Sequence, residues 1–113
     1  MRYKDALELF NTVRDRYGFV MVRDDDNYIA ASPAGVPREC GAFIGLIGST
    51  FKVVHSIDLN GDQLYCYSWD DFNNLDEACK HLDTIMEIYH KLVFKQKQLK
   101  LKQKLKDIEN DFQ

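Results

Sequence analysis

From Asn74 to Gln113, forty consecutive residues contain neither glycine nor proline. A helix using all of them would reach about 60 Å at ~1.5 Å per residue, whereas a domain of this size has a radius of gyration of only ~13 Å. Such a helix cannot lie wholly on its own domain, so part of it must project, fold back or fray. Its start is marked by Asn74 with Glu77 three residues later, the spacing of a capping box, in which side chains satisfy backbone N–H groups that the first turn leaves free. On a wheel at ~100° per residue, Leu75, Ala78, Leu82, Ile85, Tyr89, Leu92 and Leu99 share one broad face, and Phe94, Leu101, Leu105, Ile108 and Phe112 form a tighter stripe about 130° away. The apolar face therefore changes direction near Phe94. The 4, 3, 4 spacing of Leu101, Leu105, Ile108 and Phe112 is that of a short coiled-coil seam, which makes these four, with Phe94, the expected oligomerisation residues. The chain divides into a single α+β domain over 1–93 and a lysine-rich helical extension over 94–113.

The elements before this helix are short. In RYKDALELFNTVRDRYG the apolar residues Ala6, Leu7, Leu9, Phe10 and Val13 fall at helical spacing, and Gly18 is the stop. FVMVRDDDNYIAAS reads as a hairpin with its aspartates at the tip, and SPAGVPREC, which holds both prolines, as a loop. GAFIGLIGSTFKVVHSID predicts one buried strand followed by a second. Asn60-Gly61, a preferred type I′ pair, predicts a turn into QLYCYSW, with Leu59 opposite Asp62. The expected fold is α+β: an N-terminal helix, a small antiparallel sheet of about four to five strands, and a long C-terminal helix partly projecting from the body. With 113 residues, 45% of them hydrophobic and 29% charged, the chain suits one ordinary core.

Charge is unevenly spread. Residues 1–90 carry 8 Lys and Arg against 15 Asp and Glu, a net of −7, while residues 91–113 carry 7 Lys against 3 Asp and Glu, a net of +4. The two ends thus present opposite fields to a phosphate. Lys95, Lys97, Lys100, Lys102, Lys104 and Lys106 are the candidate nucleic-acid contacts, but no arginine accompanies them and they flank the apolar stripe without replacing it. Nucleic acid is therefore an alternative and not the favoured partner. No apolar run approaches the ~20 residues of a membrane span. Three cysteines without CxxC spacing, and a charged amphipathic segment after Met1, lead to the expectation of a cytoplasmic protein with reduced thiols.

Catalytic patterns are sparse. Gly41, Gly45 and Gly48 lack the strand, helix and lysine context of a phosphate loop, and read as small residues that let a helix pack closely on a buried strand. Neither Asp24, Asp25 and Asp26 nor Asp58, Asn60 and Asp62 completes an EF-hand, so no metal or cofactor is expected. A Cys66/His55 pair across the predicted hairpin would give a small enzyme as a further alternative, although nothing supplies an oxyanion hole and both side chains would fall among core residues. Alternation puts Tyr65, Tyr67 and Trp69 on the opposite, half-polar face, an aromatic row of the kind that anchors protein partners. With Asp24, Asp25 and Asp26 they are the candidate partner-binding residues.

By size, acidic body and lack of catalytic motifs, the chain resembles in composition the small inhibitor proteins that phages and mobile elements use against bacterial defence. The expected function is a non-enzymatic protein-interaction module, homo-oligomeric through its C-terminal helix, that binds or occludes a macromolecular partner.

Overall fold

The computed structural model describes residues 1–111, with side chains to residue 109. The protein is α+β. Helix α1 (Tyr3–Tyr17) leads into five strands, β1 (Val20–Asp25), β2 (Tyr28–Ser32), β3 (Ile44–Ile47), β4 (Thr50–Asn60) and β5 (Gln63–Phe72), and helix α2 (Leu75–Asp111) follows. The strands form one antiparallel sheet in chain order, so each hydrogen bonds to its neighbours in sequence. Only the β2–β3 connection is long, and it carries a 3₁₀ turn at Arg38–Cys40.

Local chemistry explains most boundaries. Gly18 ends α1 in the left-handed conformation (φ 66°), donating its N–H to the Asp15 carbonyl while Phe19 N–H reaches Arg14. The Asn74 side-chain oxygen accepts the Glu77 N–H at 3.1 Å, the half of the capping box that opens α2. The β1–β2 turn centres on Asp26 and Asn27, and Val22 is an extra residue in β1 between the Met21–Ala31 and Arg23–Ala30 pairs.

The β4–β5 hairpin differs from the predicted register by two residues. Leu59 faces Leu64 and Asn60 faces Gln63, so the central turn residues are Gly61 and Asp62. Glycine takes the first of these positions with φ 66°, and Asp62 keeps a negative φ, as in a type II′ turn. A slip of two preserves the faces of the strands but changes every cross-strand partner. Cys66 lies opposite Ile57, not His55.

Both helices cover one face of the sheet. Phe10 of α1 meets Phe51 edge-on at 6.4 Å, and His81 of α2 stacks on Phe72 at 5.4 Å. Leu46, Phe51 and Phe72 are consecutive cross-strand partners, so the two helices share this face. Phe10, Phe43, Ile44, Leu46, Phe51, Leu82 and Ile85 are the largest side chains sealed inside.

Helix α2 extends past the body. Gln96 still donates to the Asp62 carbonyl at 2.7 Å and Leu99 is half-buried, but every residue from Lys100 to Glu109 is exposed. The overall extents of 64 × 27 × 22 Å and a radius of gyration of 16.9 Å reflect that projection. Among the described residues, no helix is long and apolar enough to cross a membrane.

Candidate interaction surfaces

The projecting half of α2 exposes the stripe that the sequence picks out. Phe94 is 64% exposed, Leu101 59%, Leu105 55% and Ile108 46%. Phe112 lies outside the described residues. The first stripe is the one buried: Ala78, Leu82 and Ile85 are sealed against the sheet, and Leu75, Tyr89 and Leu92 pack at its margin. The body thus uses one side of α2 and leaves a second apolar side to solvent. Exposed apolar patches of this kind are candidates for association surfaces. Lys95, Lys97, Lys100, Lys102, Lys104 and Lys106 are all exposed around it.

The predicted aromatic row is not continuous. Tyr65 and Tyr67 are neighbours, with ring centroids 6.5 Å apart and Tyr67 45% exposed. Trp69 is separated from them by Ser68, the one non-glycine with positive φ (61°) among the described residues. Its ring turns inward across the helix-free face, so that a Cβ on Gly45 would sit 3.3 Å from Trp69 Cη2 and 3.4 Å from Tyr28 Cε1. Gly45 therefore makes room for two aromatic rings and not, as expected, for a helix. Val54, directly across from Trp69, is 1% exposed. Trp69 is packing for this face, and Tyr67 is its exposed aromatic.

The acidic turn is partly neutralised. Arg23 pairs with Asp25 and lies 4.6 Å over the Tyr28 ring, a cation–π contact that joins the turn to the aromatic face. Asp24, Asp25 and Tyr28 line one side of an open cleft of about 560 Å³, and Val36, Pro37 and Arg38 line the other. Burial raises the Tyr28 phenol above its ordinary pKa.

The two members of the predicted Cys/His pair go separate ways. His55 is exposed, and its Nδ1 donates to Asp70 Oδ2 at 2.7 Å. His81 approaches the same oxygen at 3.7 Å while donating to the Val54 carbonyl at 2.8 Å. Cys66 instead meets Cys40, with the two sulfurs 3.5 Å apart. Their contact lowers the Cys40 pKa against the opposing effect of burial, and raises that of Cys66, as does burial. Spacing gives no hint of this pair, because the 3₁₀ turn that carries Cys40 is brought to β5 by tertiary folding.

Compared with known protein families, with curated proteins and with solved structures, the chain matches none.

Proposed function

We propose that this protein is a non-enzymatic protein-interaction module that self-associates through the free half of α2 and binds or occludes a macromolecular partner with its body. The observation that carries the reading is the exposed stripe of Phe94, Leu101, Leu105 and Ile108 on a helix that has already buried its other apolar side. Read as heptads, Phe94, Leu101 and Ile108 take d positions, while Gln98 and Leu105 take a positions. A second copy of the chain supplies a matching seam. Running antiparallel, Leu101 packs against the partner's Leu105, and Gln98 against the partner's Ile108.

Charge favours that direction at the seam's ends. Lys95 lies beside the partner's Glu109, and the lysine-rich start of each helix meets the stretch 107–111, which carries Asp107, Glu109 and Asp111. In the centre Lys102 and Lys104 each face their own copy. Salt screens both the attraction and the repulsion, leaving an apolar seam that holds or strengthens as salt rises. Phosphate binding by the same lysines would behave in the opposite way, weakening steeply with salt.

Light scattering of the full chain across a concentration and salt series tests the reading. The expected result is a dimer that persists at high salt and becomes a monomer in the Leu101→Gln, Leu105→Gln variant, with unchanged body stability. A wild-type monomer at every concentration would overturn the self-association. Retention on DNA at low salt by that monomer would favour the nucleic-acid alternative.

A further inference from the structure

The sulfurs of Cys40 and Cys66 are 3.5 Å apart, although 26 residues separate them in sequence. The loop backbone is pressed onto β5 at this point: a Cβ on Gly41, whose φ is 101°, would lie 3.2 Å from Cys66 Cβ. Cys40 is held by a 3₁₀ turn in which its N–H reaches Pro37 O at 3.1 Å and Gly41 N–H reaches Arg38 O at 3.2 Å. A disulfide needs ~2.05 Å between sulfurs, so the gap must close by roughly 1.5 Å. A change of side-chain rotamer with a small shift of this single turn would supply that. Cys40 also lines an open cleft of about 280 Å³ between the loop, the β4–β5 tip and α2, with Tyr65, Gln96 and Lys100 on its walls. Cys40 itself is buried, at 3% exposure, and Cys66 is half-buried, so the cleft brings a small oxidant up to the pair.

We propose that Cys40 and Cys66 form a redox-active dithiol site, with Cys40 as the attacking thiol and Cys66 as the resolving one, and hydrogen peroxide as the oxidant. The Cys40 thiolate attacks one peroxide oxygen, the O–O bond breaks, and the departing hydroxide takes a proton to leave as water, giving a sulfenic acid on Cys40. The Cys66 sulfur then attacks the Cys40 sulfur, the S–S bond forms and the S–O bond breaks. The released hydroxyl leaves as water with the Cys66 proton. Two thiols and one peroxide become one disulfide and two waters, the two electrons passing from sulfur to the O–O bond. The asymmetry of the pair fits this division of roles: their contact favours the thiolate on Cys40 and holds the proton on Cys66. The disulfide would tie the β2–β3 loop to β5 at the wall of the cleft beside which α2 leaves the body.

Cys79 is an internal control. It lies on α2 and is buried to a similar degree as Cys40, but its sulfur sits 3.5 Å from Arg16 Nη1 of α1 and has no cysteine partner. The test is peroxide titration of the folded full-length chain, followed by alkylation and peptide mass spectrometry. The expected product is a Cys40–Cys66 linked peptide two hydrogens lighter, reversed by dithiothreitol and formed at least about tenfold faster than any change at Cys79. In Cys66→Ser, oxidation should stop at a dimedone-trappable sulfenic acid on Cys40. Oxidation of all three thiols at one common rate, or a cross-link that forms only in urea, would overturn the proposal. The wild-type measurement needs no variant to fold, and self-association of α2 has no bearing on its outcome.

Discussion

Trp69 and Gly45 make one interlocking contact, and its energy can be tested from both sides. Truncating a fully buried aromatic to alanine costs ~3–5 kcal/mol, whereas a surface change costs within ~0.5 kcal/mol. Trp69 is half-buried on edge strand β5, yet it covers Val54 and reaches over Gly45. A loss of about 2–3 kcal/mol is therefore expected for Trp69→Ala. The reciprocal change, Gly45→Ala, adds a Cβ 3.3 Å from Trp69 Cη2 and 3.4 Å from Tyr28 Cε1. The Trp69 edge must give by a few tenths of an ångström while held against Val54 and the Tyr28 ring is already in contact, so overpacking of about 1 kcal/mol is expected. In the Trp69→Ala background one of those edges is gone, and the same alanine should cost little or nothing, since Ala is ~0.5–1 kcal/mol better than Gly within a strand. Urea unfolding followed by far-ultraviolet circular dichroism gives all four stabilities, and the expected coupling is at least about 1 kcal/mol. Additivity within ~0.3–0.5 kcal/mol would show that the two side chains do not meet, and would refute the packing argument. The sole tryptophan gives a second check, because its native emission should be blue-shifted and only partly accessible to iodide.

The remaining predictions concern the attachment of α2 to the body. Tyr17 of α1 donates its hydroxyl to Asp83 Oδ1 and also lies 3.1 Å from the Cys79 carbonyl, and burial and then this hydrogen bond raise its pKa. Tyr17→Phe should cost ~0.5–1.5 kcal/mol. Because the folded state holds the proton more tightly, this contribution is present below the unfolded phenol pKa of ~10 and declines as pH rises above it. Denaturation in alkaline buffer should show wild type converging on the variant, and a constant difference across that range would sink the argument. His81→Ala removes the donor to the Val54 carbonyl and the ring stacked on Phe72. A loss of ~1–3 kcal/mol is expected from the same urea assay, and a value near zero would mean that water replaces the imidazole at no cost.

The elements that can be read from the sequence are those with local causes. Gly18 stops α1, Asn74 caps α2, and aspartates and glycines turn the hairpins, each through backbone conformations or hydrogen bonds within a few residues. Register is harder to read. Alternation along β4 and β5 is unchanged by a slip of two, so the pattern that correctly separates their faces near the helix-covered end cannot distinguish Asn60-Gly61 from Gly61-Asp62 as the central turn pair. The aromatic row differs for another reason. It assumes three exposed rings from Tyr65 to Trp69, whereas the Trp69 ring folds over Gly45, next to Ser68 with its positive φ. Nothing in a Tyr-Ser-Trp triplet signals that conformation. Cys40 and Cys66 are further out of reach, since their contact depends on how the β2–β3 loop lies against β5.

Helix α2 was legible in its start and in the change of its apolar face, and the reason lies in what each half packs against. Its first half completes the sheet. Strand β3 pairs with β4 only as far as Ile44 and Val53; beyond them Val54 donates its N–H to Phe43 and its carbonyl accepts from His81, so a helix side chain satisfies a backbone group that a longer β3 would otherwise meet. Its second half has no such obligations. From Lys100 to Glu109 every residue is exposed, and none of the sealed core side chains lies beyond Ile85. Substitutions at Leu101, Leu105 or Ile108 should therefore leave the fold of the body unchanged. A free helical segment gains little from exposed leucines in water, where burial of an apolar face supplies most helix stability. The same stripe that gives the body nothing is what a second copy, running antiparallel, would cover.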